Sequence, residues 1–270
     1  MCNVAVIDID SLIFAMFHPN KVVDAKGVPL KENGKFIYQE KTEDEVISSC
    51  DFMMNLVLTN SNADSYIGVV KGSNTIKNKL LIDPTYKQDR DKESPKYWNL
   101  CKDHLVRKWN VIEADDYEAD EYVNVIRLAV NGAYIVAIDG DLLGLETNDK
   151  FHYNWKKNEW IEVSESAARY KFWCDMICGT HNNTKGVPGK GIKYCEKIFL
   201  PDSDNKTDAA YAMIVINEFI DCFKDDGVDQ FYKNYKMNKI PSKIEGFIIP
   251  EPIKYIREDT VMENEVKHNF

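Results

Sequence analysis

The stretch from Tyr117 to Leu145 limits the fold more than any other part of the chain. Glu118, Asp120 and Glu121 crowd the head of an apolar helix, and Asn131-Gly132 ends it. Ala-Tyr-Ile-Val-Ala-Ile then reads as a buried strand that runs out into Asp139-Gly140-Asp141. A helix macrodipole favours negative charge at its N-terminus, which accounts for part of the first group. The two acids beyond the strand have no such excuse, because like charges gathered at strand ends repel unless a cation or a lysine sits between them. Hard divalent ions such as Mg²⁺ want carboxylate oxygens and keep several waters, and this pattern offers them.

Earlier in the chain, Val4 to Ile7 is a continuous apolar run, the pattern of a buried strand, followed by Asp8-Ile9-Asp10-Ser11 and a helical stretch from Leu12 to Phe17. Open α/β sheets bind ligands beyond the carboxyl ends of their strands, which puts Asp8 at a functional position. Asp10 reads either as a helix N-cap, alone or shared with Ser11, or as one more acid of the same site. Tyr66 to Val70 is a second strand, ending in Lys71-Gly72, and Tyr134 to Ile138 is a third. Helices between strands imply a largely parallel sheet with right-handed crossovers, so all three strands finish on one edge. That brings Asp8, Asp139 and Asp141 together, with the Glu118 helix head nearby.

Thr42-Glu43-Asp44-Glu45 is a capping box, and Val46, Cys50, Met53, Met54, Val57 and Leu58 recur after it at core-facing helical spacing. Asn33-Gly34 marks a turn, and residues 151–163 read as a hairpin. Ser164 caps a helix to about Cys178. Further helices cover 207–224 and 228–235, an extended Pro-rich segment reaches Ile256, and a polar tail closes the chain.

A net charge of −10 over 270 residues argues against a general polyanion binder unless acids and bases are segregated. They are. Residues 71–110 hold ten Lys or Arg against five Asp or Glu, with Tyr86-Lys87-Gln88-Asp89-Arg90 and Lys96-Tyr97-Trp98 interleaving bases and rings. This suits a nucleic-acid strand, although a solvated helix face with snorkelling lysines has the same composition. Later, Gly186-Val187-Pro188-Gly189 makes a tight turn and Lys190-Gly191-Ile192-Lys193 opens a helix. Backbone N–H groups in a glycine turn before a helix form a phosphate cradle. No apolar run approaches the ~18 residues of a membrane span, and a strand starts too early to leave room for a signal peptide. Seven scattered cysteines suit a reducing cytoplasm, and Cys174, Cys178 and His181 fit no common zinc spacing.

Four blocks in order resemble the 5′-nuclease (flap endonuclease, 5′–3′ exonuclease) superfamily, especially its T-even phage ribonuclease H branch. They are Ile7-Asp8, Tyr86-Lys87-x-x-Arg90, Glu118-Ala119-Asp120-Glu121 and Asp139-Gly140-Asp141-Leu142-Leu143. The resemblance implies a PIN-like, three-layer α/β catalytic domain over 1–165, with a mostly parallel sheet and a basic arch at about 71–110. Residues 166–270 would form a helix–three-turn–helix DNA-binding region with a C-terminal helical part. Asp8, Glu118, Asp120 and Asp139 would surround one Mg²⁺ or Mn²⁺. Asp141 would lean toward a second ion, and Glu121 stands where the family has Asp. Lys87 and Arg90 would steer the scissile phosphate, with Lys77, Lys79 and Tyr86 also on DNA. Gly186, Val187, Gly189, Lys190, Gly191 and Lys193 would hold the duplex backbone, with a K⁺ ion at the turn. The implied chemistry is phosphodiester hydrolysis near the 5′ end of branched or nicked DNA, or of RNA in a hybrid, by a monomer. Single-strand-binding protein, clamp and polymerase are the implied replication partners. Three acids of the family pattern are replaced: Lys71-Gly72 stands where an Asp ends the second strand, and Gly179-Thr180-His181-Asn182-Asn183 stands where the family has Gly-Asp-x-x-Asp before the glycine turn.

Overall fold

The computed structural model describes residues 3–88, 94–144, 151–180, 184–200 and 206–257. Strand β1 (Val4–Asp8) passes directly into helix α1 (Ile9–Met16), and α2 (Glu43–Asn60) leads into β2 (Ser65–Lys71). A short α3 (Lys77–Ile82) and α4 (Trp98–Trp109) precede β3 (Ile112–Ala114). Then come α5 (Ala119–Ala129), β4 (Ala133–Val136) and the hairpin of β5 (Phe151–Asn154) and β6 (Glu159–Glu162). Helices α6 (Glu165–Cys178), α7 (Ile192–Phe199), α8 (Asp208–Phe223) and α9 (Gly227–Asn238) follow, and β7 (Ile253–Lys254) returns to the sheet.

Among the described residues, seven strands form one sheet in the order β6-β5-β4-β1-β2, with β3 and β7 both on the outer side of β2. Strands β1 to β5 run parallel, as the strand–helix alternation requires; β6 and β7 are antiparallel to their neighbours. Side chains alternate between the two faces of the sheet. Ala5, Ile7, Tyr66, Val70, Tyr134 and Val136 pack with α1, α2 and α4. Val6, Ile67, Val69 and Ile135 pack on the other face, against Val123 and Ile126 of α5. Both faces are therefore covered, and the three-layer α/β arrangement follows. A separate core of Trp173, Ile177, Phe199, Tyr211, Val215 and Phe219 holds α6 to α8 together, with Phe231 of α9 added.

Local signals held where they were complete. The Glu45 N–H donates to Thr42 Oγ1 at 3.3 Å and the Thr42 N–H to Glu45 Oε2 at 2.7 Å, while Ser164 Oγ accepts the Ala167 N–H at 3.2 Å. Asn33 and Gly34 sit at φ 49° and 79° between two paired strand segments, as a tight hairpin turn demands. Three readings need correction. β4 stops at Val136 rather than Ile138, and β3 and β7 are strands that periodicity could not reveal, being three and two residues long. Asp10 lies in the first turn of α1, and it is Asp8 that occupies the N-cap position. No helix among the described residues is long and apolar enough to cross a membrane.

Candidate metal centre

Strand parity aims the first acid. Asp8 pairs in register with Val69 and shares the Val6 face of β1, so it looks toward α5 rather than α1 and α2. It is only 7% exposed. Burial, then the charges of Asp10 and Asp139, push its carboxyl up to about 8. Asp10 is also raised by burial, but its Oδ1 accepts the Lys71 N–H at 2.9 Å, which ties the start of α1 to the end of β2. The Lys71 ammonium itself lies 4.0 Å from the centre of the Trp98 ring.

The head of α5 supplies the second group, in which Glu118, Asp120 and Glu121 bring carboxylate oxygens within 4.8 Å of one another. Burial, then Glu118 and Glu121, hold the Asp120 carboxyl well above the ordinary range, and Asp8 adds to the effect. Glu118 is held through both oxygens: Tyr86 Oη donates to Oε2 at 3.0 Å, and Lys87 Nζ pairs with Oε1. The third group follows β4. Asp139 Oδ1 accepts the Asp141 N–H at 2.8 Å, and Asp141 is raised by burial and by Asp139, Asp175 and Glu118. Lys171 bridges Asp175 at 2.5 Å and Asp141 at 3.8 Å. Asp175, on α6, gave no sequence signal beyond one acid in an amphipathic helix. A cavity of about 390 Å³ opens onto Glu118, Asp120, Asp141 and Asp175, with room for an ion and a phosphate.

This donor set is all carboxylate oxygen, and its members raise one another's proton affinity, so a hard divalent cation would relieve their repulsion. Charge interactions link Asp8 to Asp139 and Asp120, and Asp141 to Asp139 and Glu118, so these acids lie near one another. Glu121 joins them in space with both oxygens already engaged: Oε2 accepts the Glu118 N–H at 2.8 Å and Oε1 lies 3.4 Å from Lys79 Nζ.

The basic segment is largely used at home. Lys79 is 6% exposed and Tyr86 5%, so the first cannot reach a phosphate backbone and the second cannot stack on a base. Lys77 pairs with Asp116, Lys96 with Glu40, Lys102 with Glu113 and Lys108 with Asp51. Helix α4 is amphipathic, burying Trp98, Cys101 and Leu105, so it belongs to the core rather than to an open arch. Arg90, His181, Asn182 and Asn183 lie outside the described residues.

The glycine turn forms as expected, and Gly189 at φ 75° carries its reversal. Val187 is buried beneath the turn, where its N–H donates to the Ile177 carbonyl at 2.7 Å. Gly191 is the N-cap of α7, Lys193 is exposed, and Lys190 is paired with Glu218 and lies over the Tyr194 ring. A Cβ at Gly186 would meet the Ile177 carbonyl oxygen at 2.1 Å and the Gly179 nitrogen at 2.2 Å. Gly186→Ala therefore forces the turn off α6, with an expected loss of about 1–3 kcal/mol in chemical denaturation. Unchanged stability would show that the turn does not need this close approach.

No protein-family model and no curated protein matches the sequence. Solved structures do match. The bacteriophage T5 5′-exonuclease with bound zinc is 14% identical, with 88% of this chain and 100% of that chain covered and a TM-score of 0.55. A pseudo-enzyme–product complex of the T5 flap endonuclease with DNA and metal ions is 13% identical, covering 87% and 99% at a TM-score of 0.51. The catalytic core of Rad2 in complex with DNA substrate is 13% identical, covering 95% and 83% at a TM-score of 0.50. This chain shares the fold of these three structures.

Proposed function

We propose that this protein is a metal-dependent 5′ nuclease, cutting phosphodiesters near the 5′ end of branched or nicked DNA, or of RNA in a hybrid, in replication or repair. The observation that supports it most is the convergence of Asp8, Glu118, Asp120, Asp139 and Asp141 at one end of a parallel sheet, three of them with raised carboxyls. Similar structures that contain DNA, one of them with metal ions as well, support it. Asp8, Glu118, Asp120 and Asp139 would hold one Mg²⁺ or Mn²⁺, and Asp141 borders the position of a second ion. The bound ion supplies Lewis-acid stabilisation of the phosphoryl group. Lys87, already beside Glu118, brings a positive charge to the same mouth and would orient the scissile phosphate. Residues 166–257 act as the duplex-holding half, through the backbone of 186–191, Lys190 and Lys193, with K⁺ as the candidate ion at the turn.

The test is cleavage of a 5′-labelled flap duplex with Mg²⁺, Mn²⁺ or EDTA, with Asp8→Asn as control. Metal-dependent cutting that disappears in the control is the expected result. A second reading, a structure-specific DNA-binding protein without cleavage, is favoured by the ammonium groups within 4 Å of Glu118, Glu121 and Asp141. Tight binding with no cut in either metal would select it. In both readings Lys193→Ala weakens duplex binding and lowers the salt slope by about one phosphate contact. An identical slope would remove Lys193 from the interface.

A further inference from the structure

Lys79 is the one buried lysine among the described residues. Its ammonium lies 3.4 Å from Glu121 Oε1 and donates to the Met237 carbonyl at 2.5 Å. Met237 belongs to the last turn of α9, where unpaired carbonyls and the helix dipole present negative charge. An ammonium deprived of water needs such partners, and here one comes from each half of the molecule. The Glu121 carboxylate is thus pinned from both sides, by Lys79 on Oε1 and by the Glu118 N–H on Oε2. Its neighbours are held differently. Asp120 accepts only the Glu121 N–H through Oδ1 among the contacts seen, while the donors to Glu118 are the side chains of Tyr86 and Lys87, at the mouth of the cluster. Of the three acids at the head of α5, Glu121 alone has both oxygens fixed by a buried cation and a backbone amide.

We propose that Lys79 is a positioning residue of the metal centre: it keeps Glu121 out of the ion's coordination, leaving Asp8, Glu118, Asp120 and Asp139 to bind the ion. The inference rests on the metal-centre reading given above. It also means that the foot of the basic segment and the C-terminal turn of α9 share one ion pair with the acid cluster.

Mn²⁺ titration of the full-length protein, followed by electron paramagnetic resonance, tests this without cleavage. Glu121→Gln should leave the Mn²⁺ dissociation constant within about twofold, because an amide oxygen can still accept the Glu118 N–H, whereas loss of a true ligand costs more than about tenfold. Lys79→Met frees a carboxylate and removes a competing charge, so it should tighten Mn²⁺ binding about tenfold. Lys79→Met with Glu121→Gln should return to the wild-type value. Weakening in Glu121→Gln as large as in Asp120→Asn would overturn the proposal, as would unchanged affinity in a folded Lys79→Met protein. Should Lys79→Met fail to fold, Glu121→Gln alone and in the charge-free double variant still decides between the two. Unaltered Mn²⁺ binding in Asp120→Asn would instead refute the metal-centre reading itself.

Discussion

Asp8→Asn raises the stability of the metal-free protein, and the gain grows with pH. The folded-state carboxyl sits at about 8 against an ordinary 3.8, chiefly through burial and then through Asp10 and Asp139. For an acid raised in the folded state the sign is unfavourable. Below about pH 4 both states are protonated and nothing is lost; between about pH 4 and 8 the folded form retains a proton that the unfolded chain releases. Stability therefore falls as pH rises through that window. At about 1.4 kcal/mol per unit, the penalty reaches on the order of 5 kcal/mol at pH 8, an upper bound because a strained site relaxes. Thermal unfolding in EDTA at pH 5 and pH 8 checks it: the variant should gain several degrees at pH 8 and roughly a third of that at pH 5. Mn²⁺ should stabilise the wild type at pH 8 and the variant far less. An equal gain at both pH values would mean that Asp8 carries no buried charge.

Asp120→Asn removes metal-dependent cleavage and leaves DNA binding intact or tighter. Asp120 is the acid most closely surrounded by others, with Glu118, Glu121 and Asp8 all raising its carboxyl. An amide there keeps the shape but loses a charged ligand, and the repulsion that a phosphate would meet falls with it. A turnover loss on the order of 100-fold or more is expected, since even outer-shell partners of a metal cost 10–100-fold. Flap cleavage and a binding titration in Ca²⁺ separate the two effects. Turnover within a few-fold of wild type would contradict the assignment.

The sequence disclosed what depends on short range. Short apolar runs marked β1, β2 and β4, and the common edge of a parallel sheet was enough to bring Asp8 toward the head of α5. The Thr42 capping box, the Ser164 cap, the Asn33-Gly34 turn and the hairpin are equally local. What escaped depends on partners far apart in the chain. Lys79 resembled a surface base until Met237, 158 residues later, placed a carbonyl over it. Charge counting could not separate bases facing solvent from those pairing across the fold, so the Lys96–Glu40 and Lys108–Asp51 pairs were invisible too. Asp175 is the same kind of miss: it reaches the site only because α6 packs beside the 141–144 turn.

The outer side of β2 has a temporal consequence. One half is covered in parallel by β3 at residues 69–71, and the other in antiparallel by β7 at residues 65 and 66. During synthesis β1, β2 and β4 can assemble long before residue 254 leaves the ribosome. Until then the row of backbone groups at residues 64–66, which β7 and Tyr255 cover in the finished fold, is open to any passing extended peptide. Late arrival of two residues thus decides how long the nascent chain remains vulnerable to mispairing, and a chaperone that shields that row would matter most in this interval.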